Sequence, residues 1–198
     1  SRTVGKDSGF GAGPYFMKKG EKYETLYQKF KTHKLNEKEY INSVVKLWKG
    51  IRKDDLSKIY PTIRLNPNIK ETLKKIEKIK IKSALISNMP LLLAEFYSRI
   101  GFDFIFGTDC EIRKNTFTGR VIKISRNKGA VVRNLCRKLR IALNDGLAVG
   151  DSLADIPMFK AVGYDNSIVF NANDEVKQYA KYHIKDFKEL IPIIKTIK

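Results

Sequence analysis

Two carboxylates stand four residues apart in the stretch GDSLADIPMF, Asp151 and Asp155, directly after the apolar run GLAV. Hard carboxylate oxygens at the end of a buried strand suit Mg²⁺, which takes a few carboxylates and completes its shell with water and phosphate. Ser152 and Asp155 also match the S-x-x-D capping box, in which the acid serves only the helix start. Capping leaves Asp151 unexplained, because an anion in the buried mouth of a sheet is costly unless paired or coordinated. Two other places carry related chemistry. Ser87 and Asn88, in ALISNMP, end another apolar run. A hydroxyl, an amide and the free N–H groups of a helix starting there suit phosphate oxygens, and they equally suit a plain N-cap. Lys128 opens the helical pattern KGAVVRNLCRKLRI. A cation at a helix start opposes the dipole unless an anion faces it, so Lys128 is either a loose surface lysine or an anion partner.

Elements far apart in the chain must bring these groups together. Tyr23, Leu26, Tyr27 and Phe30 recur at helical spacing over residues 21–31. Asn36 caps the next helix with Glu39 three residues on, Leu35 and Tyr40 form a hydrophobic staple, and Tyr40, Ile41, Val44, Val45 and Trp48 make its apolar face. KDDLSKIYPTI is a third, short helix, so residues 15–65 read as a small helical module. Residues 1–20 carry five glycines without apolar periodicity and read as loop; GFGAG lacks the preceding strand and the GK[ST] of a phosphate loop. From Asn66 onward helices alternate with short apolar strands. ALIS, FDFIFG, GLAVG, SIVF and YHI are strands, CEIRKNTFTGRVI is a hairpin turning at Lys114-Asn115, and NPNIKETLKKIEKI, PLLLAEFYSRIG, SLADIPMFKAVG, DEVKQYAKY and FKELIPIIKTI are helices. Alternation of this kind predicts an α/β fold with a parallel sheet joined by right-handed crossovers. Ligands bind at the carboxyl ends of such strands, where Ser87-Asn88, Asp151 and Asn171 fall.

Composition narrows the options. A chain of 198 residues with 42% apolar and 11% aromatic residues suffices for one buried core. It has no stretch of about 18 uncharged apolar residues, and its start lacks the apolar segment of a signal peptide. Two cysteines, Cys110 and Cys136, are too few for a disulfide framework and point to a reducing compartment, the cytoplasm. The net charge of +18 would attract phosphorylated metabolites, nucleic acid or acidic membrane. Its lysines are scattered, which reads as a solvated surface, and the aromatics fall at core spacing rather than beside a basic stripe.

Taken together and in this order, ALISNMP, NKGAVV and GDSLADIPMF resemble the second, third and fourth motifs of the haloacid dehalogenase superfamily, in its phosphoserine-phosphatase-like branch. GFDFIFGTDCEIRKNTFTGRV is similar to the strand and hairpin of that branch, and the resemblance runs from about residue 36 to the C-terminus. It implies a Rossmann-like core over residues 66–198 with residues 15–65 as a small α-helical cap. It also implies Mg²⁺-dependent hydrolysis of a small phosphorylated metabolite through an aspartyl-phosphate. Ser87, Asn88 and Lys128 would hold the phosphoryl group, Asp151 would hold Mg²⁺, and Asp155 would support the site. Two departures follow. The D-x-D first motif has no match, since Asp7 is followed two residues on by Gly9 and no apolar strand leads in. The expectation is a chain that begins just after that strand, with residues 1–14 as the ensuing loop, the nucleophile upstream of residue 1, and a slot left in the sheet. Where this branch places a carboxylate-gripping arginine, the cap holds Asn42. A phosphomonoester other than phosphoserine, shaped by Tyr15, Phe16, Tyr23 and Asn42, is therefore at least as well accommodated. The alternative is a degenerate scaffold binding phosphorylated ligand or nucleic acid without turnover.

Overall fold

The computed structural model describes Val4, residues 9–124 and residues 127–197. Helices open the chain: α1 (Gly9–Phe16), α2 (Gly20–Lys31), α3 (Glu37–Leu47) and the single turn α4 (Leu56–Ile59). Helix α3 starts on the capping box legible in its sequence. Asn36 Oδ1 accepts from Glu39 N at 3.0 Å, and Glu39 Oε2 accepts from Asn36 N at 2.9 Å. Its inward face, Tyr40, Ile41, Val44 and Val45, is buried together with Trp48.

Helix α1 corrects the loop expected over residues 1–20. Its glycines carry poor helix propensity, yet they allow a close approach that propensity does not register. A Cβ on Gly13 would lie 2.5 Å from the Trp48 ring, and Trp48 Nε1 donates to Phe10 O at 3.2 Å. Tertiary packing, not local preference, makes this helix. Asp7 lies outside the described residues.

Beyond α5 (Ile69–Lys78) the chain alternates: β1 (Ala84–Pro90), α6 (Leu91–Ala94), β2 (Phe104–Arg113), β3 (Thr116–Lys123), α7 (Lys128–Leu139), β4 (Ala148–Gly150), α8 (Ile156–Val162), β5 (Ser167–Phe170), α9 (Asp174–Lys177), β6 (Tyr182–Ile184) and α10 (Leu190–Ile197). Strands β1 and β2 pair in parallel, as do β4 with β5 and β5 with β6, while β2 and β3 form the antiparallel hairpin. The parallel α/β architecture is as anticipated. Lys114 and Asn115 turn the hairpin with φ of 45° and 65°, the left-handed pair that a two-residue hairpin turn requires.

Three boundaries differ from expectation. FDFIFG and CEIR join into one ten-residue strand, β2, whose first half pairs with β1 and whose second half pairs with β3. PLLLAEFYSRIG gives only one α turn and a 3₁₀ segment over Glu95–Ile100, ended by Gly101 at φ 109°. DEVKQYAKY is helical only over α9. Among the described residues the strands form two three-stranded sheets, β1-β2-β3 and β4-β5-β6, so β1 and β4 each hydrogen-bond a strand on one side only.

One core nonetheless joins the helical module to both sheets. Trp48, Phe117, Leu85, Ile168 and Phe170 belong to a single buried cluster. All four residues of β5 are buried, the apolar run of a strand covered on both faces. Cys110 and Cys136 are free, buried thiols. Among the described residues, no helix is long and apolar enough to cross a membrane.

Candidate active site

The carboxyl end of β4 runs straight into Asp151, and the chain then turns back through a 3₁₀ segment, Leu153–Asp155. That turn places Asp155 beneath the strand end, 2% exposed. Its Oδ2 accepts from Asp151 N (2.9 Å), Ser152 N (3.0 Å) and Ser152 Oγ (3.0 Å). Its Oδ1 accepts from Lys128 Nζ at 2.6 Å. Both oxygens are thus engaged by protein donors, and the capping box is real as well.

Lys128 is the first residue of α7, whose start is capped by Asn127 Oδ1 accepting from Ala130 N at 3.3 Å. The helix can come this close to α8 because residue 129 is glycine; a Cβ there would collide with the Pro157 carbonyl oxygen. Lys128 is 4% exposed, so it is no loose surface lysine. Burial alone would pull its ammonium down, but the Asp155 carboxylate outweighs that, assisted by Asp151 and Glu37, and holds the group above its ordinary value. For Asp155, burial pushes the carboxyl up. The Lys128 charge and hydrogen bond, the Asp151 N–H and the Ser152 hydroxyl prevail and hold it below the usual carboxylate range. The pair is therefore charged on both sides at neutral pH.

Ser87 and Asn88 lie within β1 rather than on the strand-to-helix turn expected for them, and α6 begins only after Pro90. The irregular register between Ile86 and Pro90 carries the strand on past them. Free helix N–H groups therefore do not start at Ser87. Its hydroxyl is buried and accepts from Met89 N at 3.2 Å. The Asn88 carbonyl accepts from Thr108 Oγ1 at 2.7 Å, and its amide Nδ2 donates to Glu37 Oε1 at 2.9 Å. Glu37, the first residue of α3, thereby ties the helical module to β1 while its charge acts on Lys128. Lys128 and Asp155 pair directly, the backbone N–H of Asp151 joins them, and Glu37 hydrogen-bonds Asn88.

None of the four cap positions expected to shape the substrate is among the residues lining the cavity at Asp151. Tyr15 is 56% and Phe16 39% exposed, and the Tyr15 hydroxyl donates to Glu24 Oε1 at 2.7 Å. Tyr23 is core, stacked on Tyr27. Asn42 turns its amide back on its own helix, donating to Lys38 O at 2.8 Å. Instead, Tyr27, Phe30 and Lys31 line a cavity of about 380 Å³, which Asp151, Ser152 and Asn171 border from the core side. An exposed contact from His33 Nε2 to Glu175 Oε1, 3.0 Å long, joins the segment after α2 to α9 beside this cavity. Residues 27, 30 and 31 carry the same helical period as Tyr23, so only the packing of α2 shows which of them face the cavity.

The donor set bears on a metal. Asp155 has no oxygen to spare, and among the described residues no three His, Cys, Asp or Glu side chains group as a metal cage. Asp151, half-buried at the strand end, offers one carboxylate. That fits Mg²⁺, which is commonly held by one or two carboxylates plus phosphate and water, and does not fit a closed structural site.

Comparison with known proteins bears on the family and the fold. A sequence model described as haloacid dehalogenase-like hydrolase matches residues 16–196. A phosphoserine phosphatase of Archaeoglobus fulgidus is 28% identical over 165 residues, 81% of this chain but 47% of that protein. One from Methanocaldococcus jannaschii is 26% identical over 168 residues, 82% of this chain and 79% of that one. The chain thus spans about half the length of the first relative and most of the second. Among solved structures, a substrate-bound phosphoserine phosphatase complex superposes with a TM-score of 0.88 at 23% identity, covering 98% of this chain and 94% of that one.

Proposed function

Since the chain belongs to the haloacid dehalogenase-like hydrolase family, we propose that it contributes the phosphate- and metal-binding half of a Mg²⁺-dependent phosphomonoester hydrolase. The observation that carries the reading is the buried Lys128–Asp155 pair, 2.6 Å long, adjoining Asp151 at a strand end. Phosphoryl transfer asks little of a protein beyond positioning and charge neutralisation. A fixed, water-shielded ammonium supplies the second before any substrate arrives. In this reading Lys128 faces the transferring phosphoryl group and the attacking carboxylate, and Asp155 holds its ammonium in place. Ser87 and Asn88 donate to phosphoryl oxygens. Asp151 holds the Mg²⁺, which when bound would neutralise charge on a phosphoryl oxygen and help align it.

The intermediate in this scheme is an aspartyl-phosphate. Asp155 is taken up as the partner of Lys128 and Ser152. The reading assigns the nucleophile to a carboxylate outside the described residues. Residues 15–65 act as a cap over a core of residues 66–198, and the phosphorylated metabolite occupies the cavity between Tyr27, Phe30 and Asp151. Names of the relatives favour phosphoserine as substrate. Asn42, neutral and bonded to its own helix, offers no counter-charge for a serine carboxylate, so a different small phosphomonoester fits the cap better.

The test is hydrolysis of p-nitrophenyl phosphate by the full-length protein with Mg²⁺, with and without EDTA. Turnover should require the metal, and Asp151→Asn should lower it at least about 100-fold while leaving the thermal midpoint within about 2 °C. Metal-independent turnover, or full activity in Asp151→Asn, overturns the assignment.

A further inference from the structure

The cavity at Asp151 has walls whose chemistry a phosphoryl group does not need. From the helical module Tyr27, Phe30 and Lys31 border it, and from the core, beyond Asp151 and Ser152, so do Leu153, Phe170 and Val176. At about 380 Å³ it has room for a ring-bearing ligand. The two aromatic rings of the module are held from behind. Phe30 stacks on Tyr40 with centroids 4.7 Å apart and planes 13° apart, and Tyr27 lies nearly parallel to Tyr23 at 6.3 Å. Tyr23 and Tyr40 are buried, so the half-buried outer rings are fixed continuations of the core. Phe170 and Val176, on the core side, are buried as well. Charge is sparse by comparison. Among the described residues, the one charge that the module brings to the cavity is that of Lys31, an exposed side chain whose ammonium lies over the Tyr27 ring, 5.9 Å from its centroid. The acid that α9 brings, Glu175, is exposed too and contacts His33. Asn66, Asn171 and Asn173 add only neutral amides.

Resting on the phosphatase reading above, we propose that Phe30 and Tyr27 are specificity-determining residues that select phosphomonoesters whose alcohol part carries an aromatic ring. With the phosphoryl group at Asp151, the ring packs against the two α2 aromatics from one side and against Leu153 and Val176 from the other. Its apolar surface leaves water for walls that are already ordered, so little conformational freedom is lost on binding. Aromatic contact adds to that gain. A compact zwitterionic alcohol part gains less, because the charges it would meet, Lys31 and Glu175, are exposed, and pairing between exposed charges is weak.

The experiment compares kcat/KM of the full-length protein with Mg²⁺ for 2-phenylethyl phosphate and ethyl phosphate, two primary alkyl esters that differ only in the ring, and for O-phosphoserine. The phenylethyl ester should exceed the ethyl ester about tenfold or more, and phosphoserine should fall below the phenylethyl ester. Phe30→Leu and Tyr27→Leu keep apolar bulk but remove a ring, and each should lower the phenylethyl-to-ethyl ratio about threefold or more. The ratio divides out any general loss of activity. Circular dichroism identifies a variant that fails to fold, and the ratio in the unmodified protein decides even if neither variant folds. A ratio near one in the unmodified protein, a preference for phosphoserine, or an unchanged ratio in a folded variant overturns the inference and leaves the phosphatase reading intact. Hydrolysis of p-nitrophenyl phosphate but of none of these three esters does the same. No hydrolysis of any of the four overturns the phosphatase reading and this inference with it.

Discussion

Lys128 and Asp155 are charged in a place that water barely reaches, and the strongest reason for each to be so is the other. Removing one partner leaves the second buried and uncompensated. Asp155→Asn should therefore destabilise the fold by about 3–5 kcal/mol, read as a lower midpoint in urea. The pair also sets a pH window. Asp155 titrates below its ordinary 3.8 when folded, so its contribution is complete above that value and is lost as pH falls through the depressed folded value. Lys128 titrates above its ordinary 10.5, so its contribution is complete below that value and is lost as pH rises through the elevated one. Thermal midpoints of the native protein should hold a plateau between about pH 4 and 10 and fall on both sides. The acid limb should be shallower in Asp155→Asn. That Lys128, Asp151 and Asp155 fall at a strand end or a helix start was legible in the sequence because each stands where one pattern gives way to another. Where Tyr15, Phe16, Tyr23 and Asn42 lie relative to the cavity was not legible, because helical spacing says which residues share a face and not what the face meets. Glu37 had no signal at all: its partner Asn88 lies 51 positions away.

Among the elements, α3 and the β2–β3 hairpin were legible because their signals are local, a capping box in one and a Lys-Asn turn in the other. Helix α1 was not, since its glycines matter only against side chains outside the helix, Gly13 against a ring 35 positions on. Gly13→Ala should cost about 1–3 kcal/mol by forcing its methyl group into Trp48. Trp48→Ala, which empties the same contact and leaves the Phe10 carbonyl without its donor, should cost about 3–5 kcal/mol. A double-mutant cycle between the two should be clearly non-additive, because Trp48→Ala removes the ring that the added methyl would strike. Additivity within about 0.3 kcal/mol would mean that α1 is not held by Trp48.

For the whole molecule, 39 basic against 21 acidic residues give a field that any polyanion will feel. Many of the cations already have partners on the surface, such as Lys82 with Asp103 and Lys181 with Asp165. Retention on heparin should therefore be diffuse: it should weaken steeply with salt and show no preference among DNA sequences of equal length. A sequence preference that survives about 200 mM salt would favour the binding-scaffold alternative. The two sheets should also differ in persistence. Strand β5 is paired on both sides and wholly buried, whereas among the described residues β1 is paired on one, so amide exchange should be slower in β5 than in β1.

Natural selection for heat resistance alone would not keep an ammonium and a carboxylate locked in an apolar interior. Exchanging both at once for neutral side chains of similar volume, Lys128→Met with Asp155→Asn, whose oxygen can still accept from Ser152 and the Asp151 N–H, often leaves a fold as durable or makes it up to about 4 kcal/mol more so. If that exchange yields a sturdier but inert protein, the ion pair is an expense borne for chemistry, and the fold carries it at the cost of its own robustness.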